Sequence, residues 1–331
     1  MQPEHVIIEN VAFPAGQHCE TTALGALLRH EGVEFSEPML FGLGEGLGFV
    51  YWDAKNLDFP FLGGRVKPFE LTRTAARHLG LTLDVQETSS ARKAWQNVES
   101  ALGSGRPVGL QLDSYHLEYF TAKVHFGGHF VAMRGYDDTN AHLVDTAQQG
   151  GAVTTTLESL ERARGERGPM TARNLSYTIT GSERTDLGAA IRRAISNNAA
   201  TFLTPPIANL GHRGIGKAAK QVPKWLDRSR DPSHDLTLAA TLMERGGTGG
   251  SLFRALYRDF LAEAATIVDD DNLVRGHQLY AEIAPLWTEV AQHIAKAGET
   301  GETGHLTQAS TLLTDLADRE HHAMQVLSGL R

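Results

Sequence analysis

The run Gly127-Gly128-His129-Phe130-Val131-Ala132-Met133-Arg134-Gly135-Tyr136-Asp137-Asp138-Thr139-Asn140-Ala141-His142-Leu143-Val144-Asp145 decides how this chain folds. Residues 129–136 are rich in apolar and aromatic side chains, 137–140 form a turn cluster, and 142–145 read as a return strand. The whole is a β-hairpin. Antiparallel pairing brings His129 and Asp145 together if the register is right. The two glycines before His129 clear space around it. A histidine at a strand start with a carboxylate on the next strand is a base with its orienting group.

Outward from the hairpin, residues 108–112, 153–156 and 175–180 are further strand candidates, and 69–79 and 91–102 read as helices. A first helix opens at or just before Cys19, with Ala23, Leu24, Leu27 and Leu28 as its apolar stripe and Gly32 as its C-terminal cap. A helix followed by mainly antiparallel strands is an α+β layout rather than an alternating βαβ one. The glycine-rich residues 41–49 read as a loop or a close backbone approach, not a regular helix. Residues 251–267, 272–297 and 306–330 read as helices, with Pro285 expected to kink or split the middle one and 297–304 as an exposed loop. Asp269-Asp270-Asp271 reads as a helix-capping turn. These features divide the chain into a catalytic domain at 1–181 and a mainly helical domain at 182–331. The latter includes a basic segment at 182–230, broken by Pro205-Pro206 and Gly211 to Gly216.

Cys19 is the only cysteine in 331 residues, so an intramolecular disulfide is excluded. A lone thiol suits a reducing cytoplasm, and with His and Asp elsewhere it is a candidate nucleophile. A helix N-terminus favours a thiolate, and its unpaired N–H groups can stabilise an oxyanion. The alternative is a small buried hydrophobe, but the polar flanks Gln17, His18, Glu20 and Thr21 weigh against it. Cys19, His129 and Asp145 thus form a candidate triad.

A cysteine opening a helix, followed by His and Asp on adjacent strands, resembles the papain-like cysteine peptidase superfamily. Three segments, 17–24 (QHCETTAL), 36–44 (SEPMLFGLG) and 127–131 (GGHFV), resemble the butirosin biosynthesis protein H family. The later run 244–254 (ERGGTGGSLFR) resembles the C-terminal domain that accompanies it. The resemblance implies a papain-like fold and an enzyme that moves an acyl or aminoacyl chain from an acyl carrier protein to an amine. Cys19 would then take the acyl group, His129 would shuttle the proton and Asp145 would orient His129. The implied setting is secondary-metabolite biosynthesis, with amide formation or cyclisation as the outcome. The same triad would serve a cysteine peptidase or an amide or thioester hydrolase, and a non-catalytic binding module is a third reading. Papain-like peptidases place an oxyanion-hole Gln several residues before the Cys. Here position 13 is Phe, and Gln17 is the nearby candidate.

Further residues are candidates for holding substrate. Residues 246–250 (GGTGG) precede a helix, and successive N–H groups there could seat the phosphate of a carrier's phosphopantetheine arm, with Arg254 within reach. A tight interhelix turn is the plainer alternative. Tyr115, in the polar aromatic run 113–119, could line the acyl or acceptor pocket, and Glu45 could bind an amine acceptor.

The net charge of −8 argues against general nucleic-acid binding. From 160 to 230, however, 13 Lys/Arg face 5 Asp/Glu, a local net of +8 that leaves −16 for the remainder. Within it, the basic segment 182–230 is the expected docking face for an acidic carrier protein. No cofactor beyond the carrier's phosphopantetheine is expected. His116, His125 and His129 raise a metal alternative, but none is expected: His125-x3-His129 would bind one only on a single helix, which Gly127-Gly128 opposes. There is no secretory signal and no run of about 18 apolar residues, so a cytoplasmic protein with no membrane partner is expected. The apolar faces of the C-terminal helices leave a homodimer open.

Overall fold

The computed structural model describes residues 5–9, 11, 15–54, 57–121, 123–168, 170–181 and 185–330. In chain order the elements are β1 (Val6–Ile7), α1 (Cys19–His30), α2 (Glu37–Leu43), β2 (Leu47–Trp52), β3 (Phe61–Arg65), α3 (Glu70–His78), β4 (Thr82–Gln86) and α4 (Ala91–Gly103). Then come β5 (Val108–Leu112), β6 (His129–Tyr136), β7 (Asn140–Val144), β8 (Ala152–Thr156), α5 (Leu157–Gly165) and β9 (Ser176–Thr180). The rest is helical: α6 (Leu187–Leu203), α7 (Gly211–Gln221), α8 (Trp225–Arg228), α9 (Pro232–Arg245), α10 (Arg254–Ala265), α11 (Asp271–Thr300) and α12 (Thr303–Leu327).

The chain forms two compact units, Met1–Leu40 with Pro68–Thr185, and Phe41–Lys67 with Asp186–Arg331. The boundary expected near 181 therefore needs a correction: residues 41–67 leave the first half of the chain and pack with the second unit. Their burial explains why. Phe41, Leu43, Leu47, Phe49 and Tyr51 are all buried, and Phe41 stacks on Phe253 while Phe49 tilts against Trp287. A short apolar run of this kind must bury its side chains somewhere.

The first unit is α+β, as expected. Its seven-stranded sheet runs β4-β9-β5-β6-β7-β8, with β1 also pairing β6, and each pairing is antiparallel. Helix α1 packs on β6, on its neighbours β5 and β7, and on β9 beyond β5. Both faces of the central strands are covered, so β5 and β6 read as continuous apolar runs rather than alternating ones. Val98, Leu110, Val131, Met133, Leu143 and Leu160 fill the core between sheet and helices. Strand β4, Thr-Leu-Asp-Val-Gln, alternates in exposure as an edge strand should; its short polar sequence hid it from the sequence reading.

The second unit is helical apart from the β2–β3 pair. Helices α11 and α12 form its long hairpin, turning at Gly301 in a left-handed conformation. Four expectations change here. The loop at 297–304 shrinks to Gly301 and Glu302, since α11 runs to Thr300 and α12 starts at Thr303. The glycine-rich segment is not all loop: α2 runs to Leu43 and β2 starts at Leu47. Gly211 to Gly216 is not a breaker but the first half of α7. Helix α11 is not split by Pro285: Pro285 and Ala281, whose carbonyl loses its partner, are both exposed and open to water.

Candidate catalytic site

Helix α1 begins at Cys19, and its first intrahelical bond runs from Thr22 N–H to the His18 carbonyl. His18 is the N-cap, yet its side chain makes no cap bond. A carboxylate from the next helix does the capping instead. Glu37 accepts from the backbone N–H groups of Gln17, at 3.0 Å, and His18, at 2.7 Å, and from the Thr21 hydroxyl at 2.9 Å. An anion at a helix N-terminus is favourable. Gly16 makes room for it, since a Cβ there would lie 2.3 Å from Thr22 Oγ1 and 2.8 Å from Glu37 Oε1.

The hairpin delivers the other two side chains. Ala132 faces Val144 and Met133 faces Leu143. Continued one step, that register sets Asp145 beside Val131, diagonal to His129 on the same face. His129 Nε2 lies 2.8 Å from Asp145 Oδ2, with both side chains buried. The thiol of Cys19 is hydrogen-bonded to the same ring, and Nδ1 is the nitrogen left for it. The Ala147 N–H donates to the Gly16 carbonyl at 2.9 Å, which ties the nucleophile's turn to the chain just past Asp145. Gly127 has to be glycine, because a Cβ would lie 2.4 Å from the Met170 carbonyl oxygen.

Burial of His129 disfavours its charged form, but the charges of Asp145 and Cys19 and the hydrogen bonds to both outweigh it, and its pKa rises to about 10. The site therefore holds an imidazolium at neutral pH, the partner that a thiolate nucleophile needs.

Tyr119 is a site residue that the sequence reading passed over. Its hydroxyl donates to Asp145 Oδ2 at 2.8 Å, while Thr146 N–H donates to Oδ1 at 2.6 Å. Burial, then the Asp145 charge and hydrogen bond, push the Tyr119 phenol well above its usual pKa, so it stays a donor. The adjacent Phe120 sets its ring edge-on to His129, centroids 5.1 Å apart. The available signal was the run 113–119 itself, in which Tyr115 was preferred. Tyr115 is exposed and stacks on His125 instead, at 4.0 Å.

The remaining candidates divide. Gln17 is exposed two residues before Cys19, and its side chain has no partner among the described residues. Glu45 lies in the other unit and accepts from Asn197 at 2.9 Å. Arg254 is not an anion ligand. It is fully buried and holds Glu320 with two bonds, Nε to Oε1 at 2.9 Å and Nη2 to Oε2 at 3.0 Å. It also lies 4.5 Å over the Trp287 ring and donates to the Leu252 carbonyl.

The loop containing Gly249 and Gly250 is likewise a structural turn. Gly250 N–H is taken by Thr248 Oγ1 and Ser251 N–H by Glu244 Oε1. A carboxylate of the chain thus stands where the phosphate was expected. Positive φ at Gly247, Gly249, Gly250, Ser251, Leu252 and Phe253 builds the turn that presents the Leu252 carbonyl to Arg254.

Two surface depressions of the first unit, of about 740 and 340 Å3, are lined by other residues than the triad. No helix among the described residues is long and apolar enough to cross a membrane.

Residues 18–146 match the family described as butirosin biosynthesis protein H, N-terminal, and residues 158–327 match a domain of unknown function (DUF4872). A solved structure described as a C39-like peptidase from Bacillus anthracis is similar at 18% identity, over 55% of this chain and 100% of that one, with a TM-score of 0.38. No curated protein matches the chain. The second match alone spans half of the sequence, and the chain belongs to the family in which a butirosin biosynthesis protein H N-terminal domain is joined to this domain of unknown function.

Proposed function

We propose that this protein is a cysteine-dependent acyltransferase or cyclase that takes an acyl or aminoacyl chain from a carrier-protein thioester and releases it onto an amine in secondary-metabolite biosynthesis. The observation that carries the reading is the Cys19 thiol at a helix N-terminus, hydrogen-bonded to a buried His129–Asp145 pair. It lies in a segment that matches the butirosin family.

In the proposed reaction Cys19 Sγ attacks the thioester carbonyl. The bond to the phosphopantetheine sulfur breaks, and His129 delivers its proton to that departing thiol. The acceptor amine then attacks the Cys19 thioester, His129 takes the amine's proton, and the Cys19 sulfur leaves with the amide formed. Asp145 keeps Nε2 of His129 engaged through both halves, so Nδ1 does the proton transfer. The Glu37 carboxylate occupies the Gln17 and His18 N–H groups. The oxyanion would therefore fall to the Cys19 N–H, ahead of the first intrahelical bond, with the Gln17 side chain as second donor.

A carrier protein is the proposed partner, docking on the second unit. Arg192 is engaged with Asp270 and Arg228 with Asp53. On α7, however, Arg213, Lys217 and Lys220 are exposed at helical spacing and form a basic stripe. The test is product analysis with an acyl-loaded carrier protein and a panel of amines. Amide in proportion to added amine, or lactam from an acyl chain that carries its own amine, supports transfer; free acid at a rate indifferent to amine makes the protein a hydrolase. Charge reversal at Lys217 and Lys220 should raise KM for the carrier and leave kcat unchanged.

A further inference from the structure

Two histidines and a carboxylate meet on the first unit, away from the triad. One donor atom from each of His116, His125 and Glu166 lies within 4.8 Å of the others. They come from three places: the 3-10 turn Ser114–His116, the segment before β6, and the residue capping α5. His116 Nε2 and Glu166 Oε2 are 2.5 Å apart. His125 is fixed from behind: its Nδ1 lies 3.2 Å from Asp113 Oδ2, and Tyr115 stacks on its ring at 4.0 Å and 11°. Its Nε2 is the nitrogen left for a ligand. Asp113 is itself pinned, accepting from the Tyr115 and Phe126 N–H groups at 2.9 and 3.1 Å.

The metal dismissed on sequence grounds took His129 with His116 and His125, and His129 is held elsewhere, by Asp145 and Cys19. We propose that His116, His125 and Glu166 bind one divalent transition-metal ion of the zinc class. Two imidazoles and a carboxylate are a donor set for such an ion, and a carboxylate on the far nitrogen of a ligating histidine orients it and strengthens its basicity. His125 is 57% exposed, which leaves a coordination position for water. Metal–ligand bonds of about 2.0–2.2 Å at tetrahedral angles need His116 Nε2 and Glu166 Oε2 to part to about 3.3 Å. The Glu166 side chain, half-buried at 31% exposure, can supply that movement.

The site would also staple a functional loop. Between His116 and His125 lie Tyr119, the donor to Asp145, and Phe120, packed on His129. The metal would close this loop at its two ends and hold both residues against the catalytic pair.

The test uses full-length Cys19→Ser protein, so that the thiol cannot bind metal, stripped with a chelator and titrated with Zn2+ against a chromophoric competitor. One Zn2+ per chain is expected, together with a rise in melting temperature on loading. His125→Ala and Glu166→Gln in that background should weaken binding by more than about tenfold, and Asp113→Asn by about 10–100-fold. Because His125 is exposed, its alanine variant retains the fold, which circular dichroism checks. Absence of saturable binding, or an affinity in His125→Ala and Glu166→Gln equal to that of the Cys19→Ser parent, overturns the proposal.

Discussion

Asp145 Oδ2 receives both the His129 ring nitrogen and the Tyr119 hydroxyl, each at 2.8 Å. One buried carboxylate oxygen therefore sets the orientation of the base and is itself held by a phenol. The consequences can be measured one residue at a time.

Asp145→Asn keeps the shape but removes the charge that favours the imidazolium. Acylation should fall roughly 10³–10⁴-fold, as expected when a triad loses its orienting carboxylate. The check is single-turnover kinetics, with circular dichroism to confirm the fold.

Tyr119→Phe deletes one hydrogen bond to a charged group, about 1.5–3 kcal/mol. The acylation rate should drop about tenfold or more with little change in KM for the donor. A purely structural role would instead lower the melting temperature and leave the rate of the folded fraction alone.

The pH dependence follows from His129, whose pKa is raised from 6.5 to about 10 by Asp145 and Cys19 against the cost of burial. The folded state binds that proton more tightly than the unfolded state does. The contribution to stability is fully present below about pH 6.5 and is lost as pH rises through about 10. Denaturation midpoints should therefore fall between pH 6.5 and 10 in the wild type, with a shallower fall in His129→Gln. An NMR titration of the His129 ring should show a midpoint well above 6.5.

Glu37→Ala should destabilise the first unit by about 1–3 kcal/mol, because the part-buried His18 N–H loses its acceptor. It should also slow acylation by freeing the turn that presents Cys19. Denaturant unfolding separates the two effects.

Glu320→Ala tests the helical unit. Glu320 is fully buried and accepts from Arg254 and from Trp287 Nε1, so the substitution strands a buried guanidinium. A loss of about 3–5 kcal/mol is expected. Replacing both partners, Arg254→Met with Glu320→Leu, should cost less than either single change.

The grouping of Cys19, His129 and Asp145 was legible because each carries a local signal: a thiol opening an amphipathic helix, a histidine after two glycines, an aspartate ending the return strand. The strands at 108–112 and 129–136 were equally plain, since short, largely apolar runs between turns fit strands. Tertiary partners were not legible. Glu37 caps a helix 16 or more residues away, and Tyr119 and Tyr115 look alike until the loop's path is known. Arg254 beside a glycine loop looks like an anion site until Glu320 arrives from α12. Residues 41–49 read as a glycine-rich loop because their apolar side chains find their partners, Phe253 and Trp287, some 200 residues later.

The central claim is that Cys19 carries the acyl group. Intact-mass spectrometry of the protein after brief exposure to an acyl-loaded carrier protein tests it most directly. The account predicts a mass increase equal to the acyl chain, mapped to Cys19, discharged by an amine and absent from Cys19→Ala. Product formation by Cys19→Ala, or an adduct that maps to another residue, would contradict it.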